Sequence, residues 1–233
     1  MLNNTSFTKI TGWVTLFSGL VAFISYYLVA ASVNFNFDFF SNPTSIFTTE
    51  GVNSEMLRWS MITDVFGYYL MLLPVVFYFK VWLDNKTPWN NLITFLGTSF
   101  ILMGALGATI LTTVWPYLLE TYATASANEQ GNIEILFQTF SQVVAVGIWN
   151  LLDGITGGLW WLLIGLFLRS SHKVLAWLSV IVGTLMLLDS MGNIFTFKVL
   201  SEIVLNIYLL LAPIWAIVMG IALLKNKIQL SKI

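Results

Sequence analysis

Cysteine is absent from these 233 residues and histidine occurs once, as His172. Without cysteine there are no disulfides, iron–sulfur clusters or thiolate zinc sites. A single histidine leaves too few ligands for a zinc or haem centre, so no metal and no other cofactor is expected. Charge is just as scarce: Asp, Glu, Lys and Arg make up 9% of the chain and sum to a formal net charge of -1. With no basic stripe to neutralise phosphates, nucleic acid is not an expected partner. Enzyme signatures are missing too, since the sequence holds no P-loop, no G-x-S-x-G and no H-E-x-x-H. The middle of the last hydrophobic stretch has no lysine, where a retinal Schiff base would form. These absences weigh against an enzyme and leave the question open.

What the chain has in abundance is apolar surface. It is 58% hydrophobic with a mean hydropathy of +0.83, the composition of an integral membrane protein whose first partner is the lipid bilayer. A helical crossing takes about 20 mostly apolar residues. Six segments reach that length, at 10–32, 59–79, 91–117, 140–168, 174–195 and 203–224. The first lacks a small-x-small cleavage site and reads as a retained helix, not a cleaved signal. The expected fold is all-α: one domain over residues 1–233, a polytopic six-transmembrane-helix bundle. Between the first two spans, residues 33–58 begin with the aromatic run NFNFDFF and are long enough to fold over the bundle mouth as an amphipathic cap. Residues 118–139, polar and Ala-rich, read as a second loop on the same side.

Lysine and arginine set the orientation, because cytoplasmic loops carry their excess. Eight of the ten lie on one side: Lys9, Lys80, Lys86, Arg169, Lys173, Lys225, Lys227 and Lys232. The opposite loops hold most of the acidic residues, with only Arg58 and Lys198 as basic company. Both termini are therefore expected in the cytoplasm. Trp13, Trp82, Trp89 and Trp177 fall at the inner ends of spans, and Trp59 and Trp115 at the outer ends, as expected for interfacial anchors. Pro74 and Pro213 lie inside the second and sixth spans, where each removes a backbone donor and should kink its helix.

Against this background, Asp64, Asp153 and Asp189 stand out inside apolar stretches. A carboxylate in hydrocarbon costs at least about 2.5 kcal/mol, so such residues face a bundle interior or a water-filled cavity. Residues three and four apart share a helix face. The second span then gathers Ser60, Asp64, Gly67, Tyr68 and Met71. The fourth gathers Gln142, Val146, Asn150, Asp153, Gly157 and Trp161, and the fifth Met186, Asp189, Ser190 and Asn193. All three aspartates lie at mid-membrane or nearer the outer side. With these faces turned inward, Asp64, Tyr68, Asn150, Asp153, Asp189 and Asn193 form one outward-facing acidic pocket, with Glu202 and Asn206 extending its rim. Such a pocket suits a cation, a proton or an amine. The alternative is structural: Asn150, Asn193, Tyr68 and Arg58 satisfy the aspartates as hydrogen-bond glue between helices. A faint parallel echo relates Asp64, Trp89 and Gly104 to Asp153, Trp177 and Gly192. Gly154 and Gly158, together with the small residues Gly97, Gly104, Ala108 and Thr112, read as packing positions.

Three stretches carry a family resemblance: LRWSMITDVFGYYLMLLPVVFYF, then WNLLDGITGGLWWLLIGLFLRS leading into KVLAWLSVIVG, and SEIVLNIYLLLAPIWAIVMGIALL. Together they resemble a family of six-helix bacterial membrane proteins catalogued as a domain of unknown function. The resemblance implies a multi-pass protein of the bacterial cytoplasmic (inner) membrane and supplies no catalytic residues. The long aromatic first loop and residues 153–158 depart from that pattern. Asp153-Gly154 also resembles the start of the D-G segment of membrane CDP-alcohol phosphotransferases, but the paired upstream and downstream aspartates of that motif are missing.

Three functions are open on these residues. The first is binding or transport of a small cationic or polar ligand through the acidic pocket. The second is an accessory or regulatory subunit whose polar faces meet another membrane protein or a second copy of the chain. The third, and weakest, is a lipid-modifying enzyme.

Overall fold

The computed structural model describes residues 4–230, which form helices and their connections without a strand. Among the described residues, six helices are long and apolar enough to cross a membrane. We number them α1 (Asn4–Ser32), α2 (Ser54–Leu83), α3 (Asn90–Thr124), α4 (Ala127–Leu168), α5 (Lys173–Ile194) and α6 (Lys198–Leu224). The architecture is that of a multi-pass helical membrane bundle.

Glycine sets where the helices approach most closely. A Cβ on Gly183 of α5 would sit 2.6 Å from the carbonyl oxygen of Gly158 of α4. A Cβ on Gly220 of α6 would sit 2.6 Å from the carbonyl oxygen of Gly12 of α1. Backbones meet at both crossings, which is how helices associate when no hydrophobic effect separates protein from lipid. Gly154 faces the Ser190 hydroxyl, so the Gly154 and Gly158 pair does pack α4 on α5.

The polar segment at 118–139 is not a loop. The α3 helix runs on to Thr124, and α4 restarts at Ala127 after only a short turn. The restart is encoded by Ser126 and Glu129, a reciprocal capping box in which the Glu129 carboxylate accepts from the Ser126 backbone N–H at 2.9 Å. Ile133, Phe137 and Ser141 are buried at four-residue intervals, so an apolar stripe was present among the polar residues. At about 1.5 Å per residue, the 35-residue α3 and 42-residue α4 both exceed the roughly 30 Å hydrocarbon core, and their hairpin projects beyond it.

The connection at 33–53 folds into two short 3-10 turns, Phe37–Phe40 and Pro43–Thr48. Phe39 and Ile46 are buried. Phe39 packs edge-on to Trp115 at 5.3 Å between ring centroids, and Phe47 lies 4.1 Å from Tyr122 on the projecting hairpin. Asn53 ends the connection by accepting from the Met56 N–H at 2.8 Å, which caps α2.

Two of the expected interfacial tryptophans belong to the core. Trp82 and Trp115 are buried, whereas Trp13, Trp59, Trp89 and Trp177 are exposed. Trp115 turns inward because its Nε1 donates to the Ser141 hydroxyl at 2.8 Å and its ring stacks on Phe137. Trp82 packs edge-on to Phe79 and carries the Lys86 ammonium 3.4 Å from its ring centroid. Trp161, on the inward face that periodicity gave the fourth span, joins Trp160 and Trp215, which periodicity did not single out, in a buried cluster with centroids 5.4 to 5.8 Å apart.

The prolines act differently from one another. In α2 the regular winding gives way to a π-helical turn at Val65–Tyr69 and a 3-10 turn at Leu70–Leu72, and α-helix resumes at Leu73 just before Pro74. The Leu73 N–H closes on the Leu70 carbonyl, the group that Pro74 cannot serve. Pro213 lies within a continuous α6, and Pro116, which the sequence reading passed over, lies within α3. The basic residue Lys232 lies outside the described residues.

Candidate functional site

A cavity of about 490 Å³ is lined by residues of all six helices, under the connection at 33–53. Phe39, Phe40, Ser41 and Pro43 of that connection contribute to its lining, as do Thr196, Lys198 and Glu202 around the α5–α6 turn. It therefore lies toward the end of the bundle that carries these connections. Most of its surface is apolar and much of it aromatic.

Asp64 and Asp153 both line it, from α2 and α4. Each sits at the edge of a π-wound segment: Asp64 immediately before the turn Val65–Tyr69, Asp153 as the last residue of the longer stretch Val143–Asp153. Such segments are rare and recur at functional sites, because the extra residue per turn re-aims side chains. Asp153 is 2% exposed, and its Oδ1 has no hydrogen-bond partner. The Tyr69 side chain interacts with the carboxyl, and Asp64 lies within electrostatic range. Asp64 accepts a long bond from the Ser25 hydroxyl, 3.4 Å, while that hydroxyl also meets the Ser60 carbonyl at 2.9 Å.

Among the described residues, no Lys or Arg forms an ion pair with either aspartate. The sole ion pair among the described residues joins Arg58 to Glu55 at 3.3 Å, exposed at the start of α2, so Arg58 is not the aspartates' partner. Lys198 and Glu202 meet the cavity where it is bounded by the first turns of α6. Asn206 is not part of the lining and donates to the Glu202 carbonyl at 2.8 Å.

Asp189 stands apart from the other two. It is 1% exposed and does not line the cavity. Its Oδ1 accepts from Asn193 Nδ2 at 3.0 Å and from the Ser201 hydroxyl, and Asn193 also donates to that hydroxyl at 2.7 Å. This triad ties α5 to the start of α6, so Asp189 fits the structural alternative. Of the six residues expected in the pocket, Asp64, Tyr68, Asn150, Asp153 and Asn193 reach the lining.

Of the aromatic walls, sequence reasoning placed Tyr68 and Trp161 on inward faces and passed over the rest. Tyr69, Phe100, Trp149 and Tyr208 line the cavity beside them. Counting at 3.6 residues per turn turns Tyr69 away from Asp64, but a π turn closes on i+5 and returns Tyr69 to that face. Gly104 makes room for it: a Cβ there would overlap the Tyr69 ring. Trp149 is held by its Nε1 donating to the Gly104 carbonyl at 3.1 Å. Trp161 packs 5.0 Å from Phe100 between centroids. The doublet Tyr68-Tyr69 and the run of tryptophans in the fourth span were the available signals.

Among the described residues, no group of three or more His, Cys, Asp or Glu side chains is placed to hold a metal ion. Comparison of the chain with protein-family models, with curated proteins and with solved structures gave no match. The functional reading therefore rests on the geometry of this cavity.

Proposed function

We propose that this chain is a multi-pass protein of the bacterial cytoplasmic membrane that binds a small cationic or polar ligand, and moves it, through an acidic intramembrane pocket open to the outer side. The observation that carries this reading is the Asp153 carboxyl: buried, lining a cavity, and without a donor for Oδ1. A carboxyl so placed is stabilised by whatever brings positive charge or a donor to it. Orientation follows the lysine and arginine bias. Both termini and the α2–α3 and α4–α5 connections face the cytoplasm, and the cap at 33–53 faces outward. The tight satisfaction of Asp189 supports assigning binding to Asp64 and Asp153, with Tyr68, Asn150 and Asn193 as polar neighbours.

The test is thermal stability of the purified chain over a range of pH and with added inorganic and organic cations, in parallel with Asp64→Asn/Asp153→Asn. Stabilisation by a cation that vanishes in the double variant, with uptake of the same cation into proteoliposomes, supports the proposal. An identical response of both proteins to every condition rejects it.

A further inference from the structure

The pocket's chemistry narrows the ligand class. Building on the binding role argued for Asp64 and Asp153, we propose that the cavity takes a lipophilic organic cation: one ammonium or similarly charged group at Asp153, attached to an aryl or bulky alkyl body held among the rings. Charge comes first. Asp64 and Asp153 enter the cavity without an ion pair among the described residues, Asp153 with a buried oxygen that lacks any donor. The one lysine of the lining, Lys198, stands one turn from Glu202 at the start of α6. An anion is repelled there, and a neutral ligand leaves the carboxyl uncompensated.

Size comes second. About 490 Å³ lies in the range of pockets that enclose whole organic molecules and far exceeds what a bare ion fills. Among the described residues, no three His, Cys, Asp or Glu side chains converge to hold a metal ion.

The third argument concerns what the walls have left to give. Several polar tips of the lining are already committed: the Tyr68 hydroxyl donates to the Leu209 carbonyl at 2.8 Å, and Trp149 Nε1 to the Gly104 carbonyl. Asn193 is engaged by Asp189 and Ser201. What Tyr68 and Trp149 retain is ring surface, and Phe100 and Trp161 add more, Trp161 with an Nε1 that has no hydrogen-bond partner. Ring faces attract cations and accept apolar bodies. A sugar or another polyhydroxylated solute needs many polar partners at once, and most of this lining offers apolar surface.

The probes are benzyltrimethylammonium, its uncharged carbon isostere neopentylbenzene, tetramethylammonium and sodium, each titrated by calorimetry into the full chain in lipid nanodiscs with empty discs subtracted. Benzyltrimethylammonium is expected to bind at least ten-fold more tightly than the other three. Asp153→Asn should weaken it at least ten-fold, and Trp149→Leu several-fold. Val146→Trp, which fills the cavity while keeping both carboxyls, should abolish binding and covers the case in which Asp153→Asn fails to fold. If tetramethylammonium or sodium binds as tightly, with the same dependence on Asp153, the lipophilic class is wrong while the cation-binding pocket stands. If benzyltrimethylammonium and its isostere bind equally well and Asp153→Asn changes nothing, both readings fall.

Discussion

The Tyr68 hydroxyl donates to the carbonyl oxygen of Leu209 at 2.8 Å, and Leu209 lies four residues before Pro213. That carbonyl is the one Pro213 leaves without its helical N–H. A tyrosine from α2 thus closes a defect in α6, and the two helices are joined beside the cavity that Tyr68 and Leu209 both line. The proline that sequence reasoning treats as a kink here leaves free the acceptor of an interhelical bond.

Tyr68→Phe should therefore destabilise the chain by about 1 kcal/mol, the range for a hydrogen bond in a membrane bundle. Pro213→Ala restores an N–H to the Leu209 carbonyl, so in that background the cost of Tyr68→Phe should largely disappear. Denaturant unfolding in mixed micelles on the four members of the double-mutant cycle measures the coupling. Equal losses in both backgrounds would show that Tyr68 stabilises the chain in some other way.

Gly104→Ala should cost about 1–3 kcal/mol, because its Cβ has to displace the Tyr69 ring or push α3 away from α2. Gly131→Ala makes the contrast. Nothing lies within 4 Å of a Cβ there, the site is exposed on α4, and alanine should stabilise the helix by about 0.5–1 kcal/mol. Opposite shifts in unfolding midpoint are expected, and a gain in stability for Gly104→Ala would mean that Tyr69 has room to spare.

Asp189 and Asp153 should separate in their phenotypes. Asp189→Ala strips the Asn193 amide and the Ser201 hydroxyl of their shared acceptor and should cost about 2 kcal/mol, while the cation-dependent thermal shift persists. Asp153→Asn removes no bond from Oδ1 and should leave basal stability within about 1 kcal/mol of the parent, while the cation response disappears. A thermal-shift series on the two variants, with and without benzyltrimethylammonium, reads both quantities at once.

Much of the fold was legible because lipid imposes simple rules. Runs of apolar residues gave six spans, and the described residues hold six helices of the required kind. Where those rules stop, so did the reading. The projecting α3–α4 hairpin lies beyond the hydrocarbon, and there the capping pair Ser126 and Glu129 and the buried stripe from Ile133 carry the signal, not hydropathy. Trp82 and Trp115 looked like anchors because indole position along a span says nothing about the direction in which the ring points. For the site, fixed helical phase brought Asp64 and Asp153 toward one another but misplaced Tyr69, since a π turn follows no composition rule. Asp189 satisfied the same phase rule and yet turned to Ser201, a partner on the next helix that no count along its own helix reveals.

The orientation proposed from lysine and arginine has a direct readout, because the chain contains no cysteine and a single introduced thiol carries no background. Asn42, beside the capping residues Ser41 and Pro43, and Asn132, on the projecting hairpin, are both exposed. So are Ser171, in the α4–α5 connection, and Gln229, beyond the end of α6. In intact cells a membrane-impermeant maleimide should label Asn42→Cys and Asn132→Cys, and should reach Ser171→Cys and Gln229→Cys only after permeabilisation. The reverse pattern would turn the bundle over and make the cavity a cytoplasmic one. In that case its ligand is gathered from inside the cell, and the direction of transport tested in proteoliposomes has to be reversed.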